Sequence, residues 1–152
     1  MATVQAKAEV SMPLIVRIRE GGPPYTVYEA TKATVNQKWQ TIRLRWTASQ
    51  TGGNTYLMIA PAAQGTMWVD AASVRDVTGL GASQNPAQPK VGNLLPNSSF
   101  EAGLGAGWSV MVKGPRQSPT NDDAVAIDNG SAVDGNRGLR LHVAGGDYNQ
   151  VG

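Results

Sequence analysis

A nine-residue stretch in which apolar and polar side chains alternate decides the fold class: Lys38-Trp39-Gln40-Thr41-Ile42-Arg43-Leu44-Arg45-Trp46. Ile42 and Leu44 fall on one side of an extended chain, and Arg43 and Arg45 fall on the other. A period of two is typical of a half-buried β-strand. Further strands are predicted over residues 3–10, 14–19, 55–60, 66–69, 108–112 and 138–143. The pattern therefore predicts an all-β protein.

Turn-forming residues separate these segments. The chain has 18 glycines and 9 prolines, and turn-rich stretches occupy residues 21–24, 51–54 and 62–65. Residues 30–35 are the one candidate for a turn of helix, and their β-branched side chains argue against it. No other stretch predicts a helix. Residues 121–129 are typical of a polar, acidic loop. A chain of 152 residues, 41% of them hydrophobic, is long enough for one domain with a core. We expect one β-sandwich of two antiparallel sheets.

Composition argues against several classes of function. The chain has no cysteine, so it has neither disulfides nor thiolate metal sites, and its one histidine, His142, argues against a Ser-His-Asp triad. A net charge of +2 gives no strong case for nucleic acid, and no apolar run approaches the roughly 20 residues of a membrane helix. No hydrolase or phosphate-binding motif is present. We expect a protein that is not an enzyme and has no catalytic residues.

Residues 78–92 differ from the rest of the chain. They are small, polar and interrupted by proline, without alternation, which is typical of a linker. This linker divides the chain into a first part, residues 1–77, and a second part, residues 93–152. Residues 1–7 lack the pattern of a signal peptide, and we expect the chain to belong to a larger secreted, extracellular protein.

Several short stretches carry a family resemblance, among them residues 6–8, 38–41 and 135–141 and the two longer ones that follow. Residues 93–101, Asn93-Leu94-Leu95-Pro96-Asn97-Ser98-Ser99-Phe100-Glu101, followed by Gly107-Trp108, resemble the opening of galactose-binding-like jelly-roll modules. These modules include carbohydrate-binding modules of families four, nine, sixteen and twenty-two. Residues 65–74, Gly65-Thr66-Met67-Trp68-Val69-Asp70-Ala71-Ala72-Ser73-Val74, resemble their closing strand. The resemblance implies a jelly-roll sandwich that binds carbohydrate.

The order of the two stretches is reversed relative to the family. Residues 1–77 resemble the back portion of a module and residues 93–152 the front portion, so together they make about one module. A circular permutation explains this order, with the old termini joined through residues 78–92. A fragment spanning two tandem modules is the other explanation, and its halves would pair within one monomer or swap between two chains in a dimer.

The resemblance implies a structural calcium ion at Glu101 and Asp70, with backbone carbonyls contributed by residues 134–137. Calcium prefers six to eight oxygen ligands, and carboxylates and carbonyls supply them. Many relatives carry a second acid where this chain has Ala71, which weakens such a site. The alternative is a pair of hydrogen-bonded carboxylates without metal.

Polar and aromatic side chains on the non-core faces of neighbouring strands indicate a sugar-binding surface. Trp39 and Arg43 share one strand face, and Arg17 and Arg19 share another, so the four would form one surface if their strands lie in one sheet. Aromatic rings stack on the C–H faces of sugars while charged groups bond the hydroxyls. The alternative is a solvated sheet face on which long side chains cover apolar atoms.

Other aromatic residues are candidates for ligand contact on different grounds. Tyr25 and Tyr28 flank a Gly-Gly-Pro-Pro loop, and Trp68 is either a sugar platform or a cap on its sheet. Tyr148 and Gln150 lie on a strand that relatives often use for binding, and each has a structural alternative.

Two functions from different classes follow. The first is a non-catalytic carbohydrate-binding module, an accessory domain beside a glycoside hydrolase, that holds a polysaccharide of the β-glucan or xylan type. Because the predicted binding face is basic, an acidic polysaccharide is the other ligand class to consider. The second is a structural or adhesive jelly roll of a surface or phage-tail protein, without affinity for sugar.

Overall fold

The computed structural model describes residues 1–48, 54–77, 92–112, 124–144 and 149–151. Ten strands run through these ranges, in the order β1 (Ala2–Ala8), β2 (Met12–Glu20), β3 (Val27–Val35), β4 (Gln40–Leu44), β5 (Thr55–Pro61), β6 (Gly65–Val74), β7 (Val110–Val112), β8 (Ala124–Asp128), β9 (Gly138–Val143) and β10 (Asn149–Val151). No helix occurs within the described ranges. No helix there is long and apolar enough to cross a membrane.

The strands form two five-stranded antiparallel sheets. Sheet A has the order β4-β1-β6-β9-β8, and sheet B has the order β3-β2-β5-β10-β7. The first and second parts of the chain contribute to both sheets. In sheet A, β9 pairs with β6, and in sheet B, β10 pairs with β5.

The core lies between the two sheets, and several strands bury alternate side chains in it. In β1 and β2 the buried positions alternate strictly with half-buried ones. Val4 and Leu14 from these strands and Ile59, Leu139 and Leu141 from later strands are fully buried in one cluster. Burial of large aliphatic side chains stabilises a fold by about 1.5 to 3 kcal/mol each, as an upper estimate. The all-β prediction and the two antiparallel sheets of a sandwich are confirmed.

The segment that precedes β7 packs against the end of β6. Asn93 accepts hydrogen bonds from the backbone N–H of Val74 and Leu95, at 2.9 and 3.1 Å, and donates to the carbonyl of Ala72 at 2.9 Å. Phe100 is fully buried, and its ring lies 4.8 Å from the Trp108 ring between centroids. These contacts attach the second part of the chain to the first outside the sheets.

Two strands differ from the sequence analysis. β3 was not predicted, because it is an edge strand whose inward positions include Thr31 and Ala33 rather than large apolar residues. β8 lies within residues assigned to a polar loop, although Val125 and Ile127 pack against the core. Residues 78–91 of the predicted linker lie outside the described residues.

Candidate functional site

The predicted sugar-binding side chains lie on two different surfaces. Arg17 and Arg19 are in β2, on the outer face of sheet B, whereas Trp39 and Arg43 belong to sheet A or its edge. The hypothesis of one shared face is therefore wrong. Alternation within a strand places side chains on a face, but it does not say which strands share a sheet.

The first surface is a cluster on sheet B formed by Arg17, Arg19, Tyr25 and Tyr56, which we call the sheet B surface. Arg19 faces Tyr56 across the β2–β5 pair. Its guanidinium carbon lies 5.0 Å from the centre of the Tyr25 ring, within the range of a cation–π contact. The residues Tyr25 and Tyr56 are 52% and 39% exposed. The surface therefore presents two accessible aromatic rings beside a cation.

Gly21 permits the position of Tyr56. A Cβ atom at Gly21 would overlap the edge of the Tyr56 ring. The backbone N–H of Gly21 donates to the carbonyl of Asn54 at 2.7 Å, which ties the β2–β3 connection to the start of β5. The ring thus lies directly over the β2–β3 connection. Sequence analysis did not nominate Tyr56, although its alternation with the core residue Leu57 places it on the outer face.

Arg17 is the least satisfied polar group of the sheet B surface. Its Nε atom is buried, and no hydrogen-bond acceptor among the described residues contacts it. Arg17 faces Met58, which is fully buried although it belongs to the outer face. A buried N–H without an acceptor costs about 1 to 3 kcal/mol. Such a group requires an explanation, and a bound ligand is one.

The remaining sheet B candidates do not join this surface in the described structure. Tyr28 is partly buried and packs against the core between the sheets. Gln150 lies in β10, where only the backbone is described. Tyr148 lies outside the described residues. The structure thus brings together Arg17, Arg19 and Tyr25 from the predicted set.

The second surface is a row on the outer face of sheet A, made of Trp39, Lys7, Trp68 and Arg140, which we call the sheet A row. Lys7 is the register partner of Trp68, and Trp68 is the partner of Arg140. The Lys7 Nζ atom lies 5.0 Å from the Trp39 ring centre and 5.1 Å from that of Trp68. The ammonium group is therefore held between two indole rings.

Trp68 is fixed from its other side. Its Nε1–H donates to the Asp128 carboxylate at 2.7 Å, and the N–H of Gly130 donates to the same carboxylate at 2.7 Å. These two hydrogen bonds lower the pKa of Asp128 below its usual value, and the bond from Gly130 has the larger effect. Next to the row, the Thr66 hydroxyl and His142 Nδ1 are 2.8 Å apart. Asp128 and Arg140 were not nominated from the sequence.

Arg43 lies on the same outer face but apart from the row. It faces Thr3, four positions along β1 from Lys7. That separation corresponds to roughly 14 Å along a strand. The Thr3 hydroxyl forms a hydrogen bond of 2.6 Å with the Ser73 hydroxyl. Arg43 therefore lies on the outer face of sheet A but is not part of the sheet A row.

The two predicted metal ligands, Asp70 and Glu101, both contact the loop between β8 and β9. Asp70 accepts hydrogen bonds from the backbone N–H of Val133 at 2.6 Å and of Asp134 at 2.9 Å. Glu101 accepts from the N–H of Asn136 at 2.8 Å and of Arg137 at 2.6 Å. Asp70 is fully buried, and burial raises its pKa above the usual value of an aspartate.

This geometry does not form a calcium site as it stands. The loop presents N–H groups to the two carboxylates, and the positive ends of these dipoles lie where a cation would have to bind. A calcium site needs carbonyl oxygens from the loop instead. No group of three or more histidine, aspartate or glutamate side chains converges among the described residues. In the described residues the carboxylates join β6 and residue 101 to the loop through hydrogen bonds from backbone N–H groups.

Two cavities lie away from both surfaces. The larger, of about 450 Å³, is lined by Trp46, Val74, Arg75 and Leu94 among others. The smaller, of about 160 Å³, lies between the end of β6 and Asp134. Neither is lined by a side chain nominated for sugar contact.

Comparison with known proteins does not assign a family to this chain. No family model, no curated protein and no solved structure matches it. A functional proposal therefore has to come from the geometry of the two surfaces.

Proposed function

We propose that this protein is a non-catalytic carbohydrate-binding module that holds a polysaccharide, of the β-glucan or xylan type, on the sheet B surface. The observation that carries the proposal is the pair of exposed tyrosines, Tyr25 and Tyr56, beside the Arg19 guanidinium. Arg17 lies on the same face of β2 as Arg19, and its buried Nε–H lacks an acceptor among the described residues. We also propose that the module belongs to a larger extracellular protein.

The chemistry of the surface suits a sugar. The Arg17 Nε–H is buried in this structure, so a sugar hydroxyl can accept from it, and remove the cost of the unpaired donor, only once the Arg17 side chain turns outward. Tyr25 and Tyr56 offer aromatic faces for the C–H faces of sugar rings. Arg19 already contacts one face of Tyr25, so it orients that ring and adds further donors for hydroxyls.

The proposed architecture is a jelly roll in permuted order. Residues 93–101 resemble the opening of the family's module, and they lie against β6, which resembles its closing strand. A module whose beginning and end are neighbours in space accommodates a permutation, because the old termini need only a short connection. A fragment of two tandem modules remains the other explanation of the order.

Replacement of Arg17 by methionine tests the sugar site. Arg17→Met keeps an unbranched apolar side chain and removes the unpaired donor, so we expect unfolding stability to stay equal or to rise. We expect retention by soluble β-glucan or xylan in affinity gel electrophoresis to fall by about tenfold, the equivalent of one charged hydrogen bond. Tyr25→Ala and Tyr56→Ala should weaken retention as well. Arg43→Met on sheet A is the matched control and should bind as the natural chain does.

The same gels distinguish the alternatives. If the folded natural chain is not retarded by any neutral polymer, the sugar-binding proposal is wrong, and a structural or adhesive sandwich replaces it. If Arg17→Met loses stability and binds normally, the unpaired donor has a structural role. Parallel gels with calcium and with a chelator test the calcium ion, which the family resemblance implies and the present loop geometry does not favour.

A further inference from the structure

Cations and aromatic rings alternate along the sheet A row. Trp39, Lys7, Trp68 and Arg140 lie on four successive strands or their extensions, each beside the next. Strands in a sheet are about 4.8 Å apart, so the row extends over roughly 14 Å. It runs across the strands on a face that is not covered by sheet B. Every side chain of the row is partly exposed.

Contacts on several sides fix the position of the Lys7 ammonium group, and not all of its N–H donors are used in them. Two indole rings lie at cation–π distance from the ammonium group. One N–H donates to the Ser131 hydroxyl at 3.3 Å. An ammonium group has three donors, so the described contacts leave two for a ligand. A lysine held in this way keeps its charge at a defined place instead of moving freely in solvent.

The charge of the row is positive in excess. Its two cations face one carboxylate, Asp128, and that carboxylate already accepts from Trp68 and Gly130. A neutral sugar chain meets these cations only through hydroxyl groups, which make weaker hydrogen bonds to them than carboxylates do. A chain whose rings carry carboxylates gains from both, because the rings stack on indole while each carboxylate meets an adjacent cation.

We propose that the sheet A row is a second binding site, specific for an acidic polysaccharide whose sugar rings carry carboxylate groups, with Lys7 as the carboxylate anchor. Trp39 and Trp68 are the stacking surfaces, and Arg140 is the second cation. The site is separate from the sheet B surface and uses none of its residues. The two proposals therefore succeed or fail independently.

The test uses polymers that differ only in charge. The full chain is run in affinity gels with polygalacturonate and with the same polymer after methyl esterification, which neutralises the carboxylates. We expect retardation by the acid form and a loss of about tenfold or more on esterification. Lys7→Met keeps the apolar stem between the rings and removes the charge, so it should lower retention by the acid form about tenfold. Trp39→Ala should lower it too.

Matched controls separate this site from general attraction of a basic protein to an acid. Arg43→Met removes a cation from the same face outside the row and should leave retention almost unchanged. Equal losses in Lys7→Met and Arg43→Met would overturn the proposal, as would equal retardation by dextran sulfate. Normal retention of the acid polymer by Trp39→Ala would also overturn it. Arg17→Met, which tests the sheet B surface, should still bind polygalacturonate.

Discussion

At the scale of single residues, Asp128 connects the charge state of the protein to the sheet A row. Its pKa is lowered by the N–H of Gly130 and by the Trp68 indole, so the ionised form is favoured in the folded chain. A lowered pKa stabilises the fold at pH values above about 4 and loses this contribution as the pH falls through the folded value. The carboxylate therefore holds Trp68 in place at neutral pH.

Asp128→Asn should destabilise the fold by about 1 kcal/mol at about pH 7, since a charge-assisted bond at a partly exposed site becomes a neutral one. Urea unfolding at about pH 7 and at about pH 3 measures the difference, which should shrink at the lower pH as the natural carboxylate is protonated. Glu9→Gln, on an exposed side chain of the β1–β2 connection, is the charge control. A difference that is constant with pH would mean that ionisation of Asp128 plays no part.

Asp70 acts in the opposite direction over the same pH range. Burial raises its pKa, so the folded chain takes up this proton at a higher pH than the unfolded chain does. Its contribution to stability is present below the unfolded pKa and is lost as the pH rises through the folded value. Asp128 and Asp70 therefore partly cancel in the natural protein. The comparison between variants isolates Asp128, because Asp70 is the same in both.

At the scale of elements, the Asn93 side chain adds two hydrogen bonds to β6 to the two backbone hydrogen bonds that join residues 93–101 to that strand. Asn93 accepts from two backbone N–H groups and donates to one carbonyl. Asn93→Ala leaves all three groups without that partner, and we expect a loss of about 2 to 3 kcal/mol in the free energy of unfolding. Asn93→Asp keeps both acceptor contacts and removes only the donor to Ala72, so its loss should be smaller. Denaturant titration of both variants gives the order.

The order of the two variants is the informative result. If Asn93→Asp is as damaging as Asn93→Ala, the contact with the Ala72 carbonyl dominates or the buried charge is costly. If neither variant changes stability, the segment is held instead by its backbone hydrogen bonds to β6 and by the burial of Phe100 against Trp108. Far-ultraviolet circular dichroism on each variant serves as the check that the sheets are retained.

Most strands in which apolar and polar side chains alternate were predictable from the sequence, but β3 and β8 were not. β1, β2, β4 and β9 follow the alternation closely, whereas β5 buries consecutive side chains from Leu57 to Pro61. β3 was not predicted because it is an edge strand that faces solvent, and such a strand does not need a strong alternation of apolar and polar side chains. The alternation of side chains also does not show which strands share a sheet, because strand pairing depends on contacts between segments that are distant in sequence. For that reason the sequence left open whether Arg17 and Trp39 share a face, and they lie on different sheets.

The candidate sites were predictable as residue types but not as clusters. Trp39 and Trp68 were both nominated, yet only the register of β6 with β1 and β9 shows Lys7 between them and Arg140 beside them. The carboxylates Asp70 and Glu101 were expected near residues 134–137, and they do contact that loop. The polarity of the loop could not be read from the sequence, because the same backbone offers either N–H or carbonyl groups.

At the scale of the whole molecule, the two parts of the chain share one core. Leu139 and Leu141 of β9 are fully buried among side chains of β1, β2 and β6, and five register pairs join β9 to β6. Neither part can bury its apolar surface without the other. We expect the sandwich to unfold in a single cooperative transition.

Cleavage between the two parts tests this unity. A recognition sequence for a specific protease is inserted within residues 78–91, and the folded protein is cut there. We expect the two pieces to remain associated in size-exclusion chromatography, because the shared core and the β6–β9 pairing do not depend on the connection. Unfolding of the cut protein then becomes bimolecular, so its midpoint should rise with protein concentration, while that of the uncut chain stays constant.

The chain's mass in solution before cutting separates the two explanations of its reversed order. A permuted module pairs its parts within one chain and elutes as a monomer that stays one particle after cleavage. Halves from two tandem modules are free to exchange between chains, and a dimer before cutting would favour that origin. Pieces that separate under native conditions would contradict a shared core in either case, because each piece would then be a folding unit of its own.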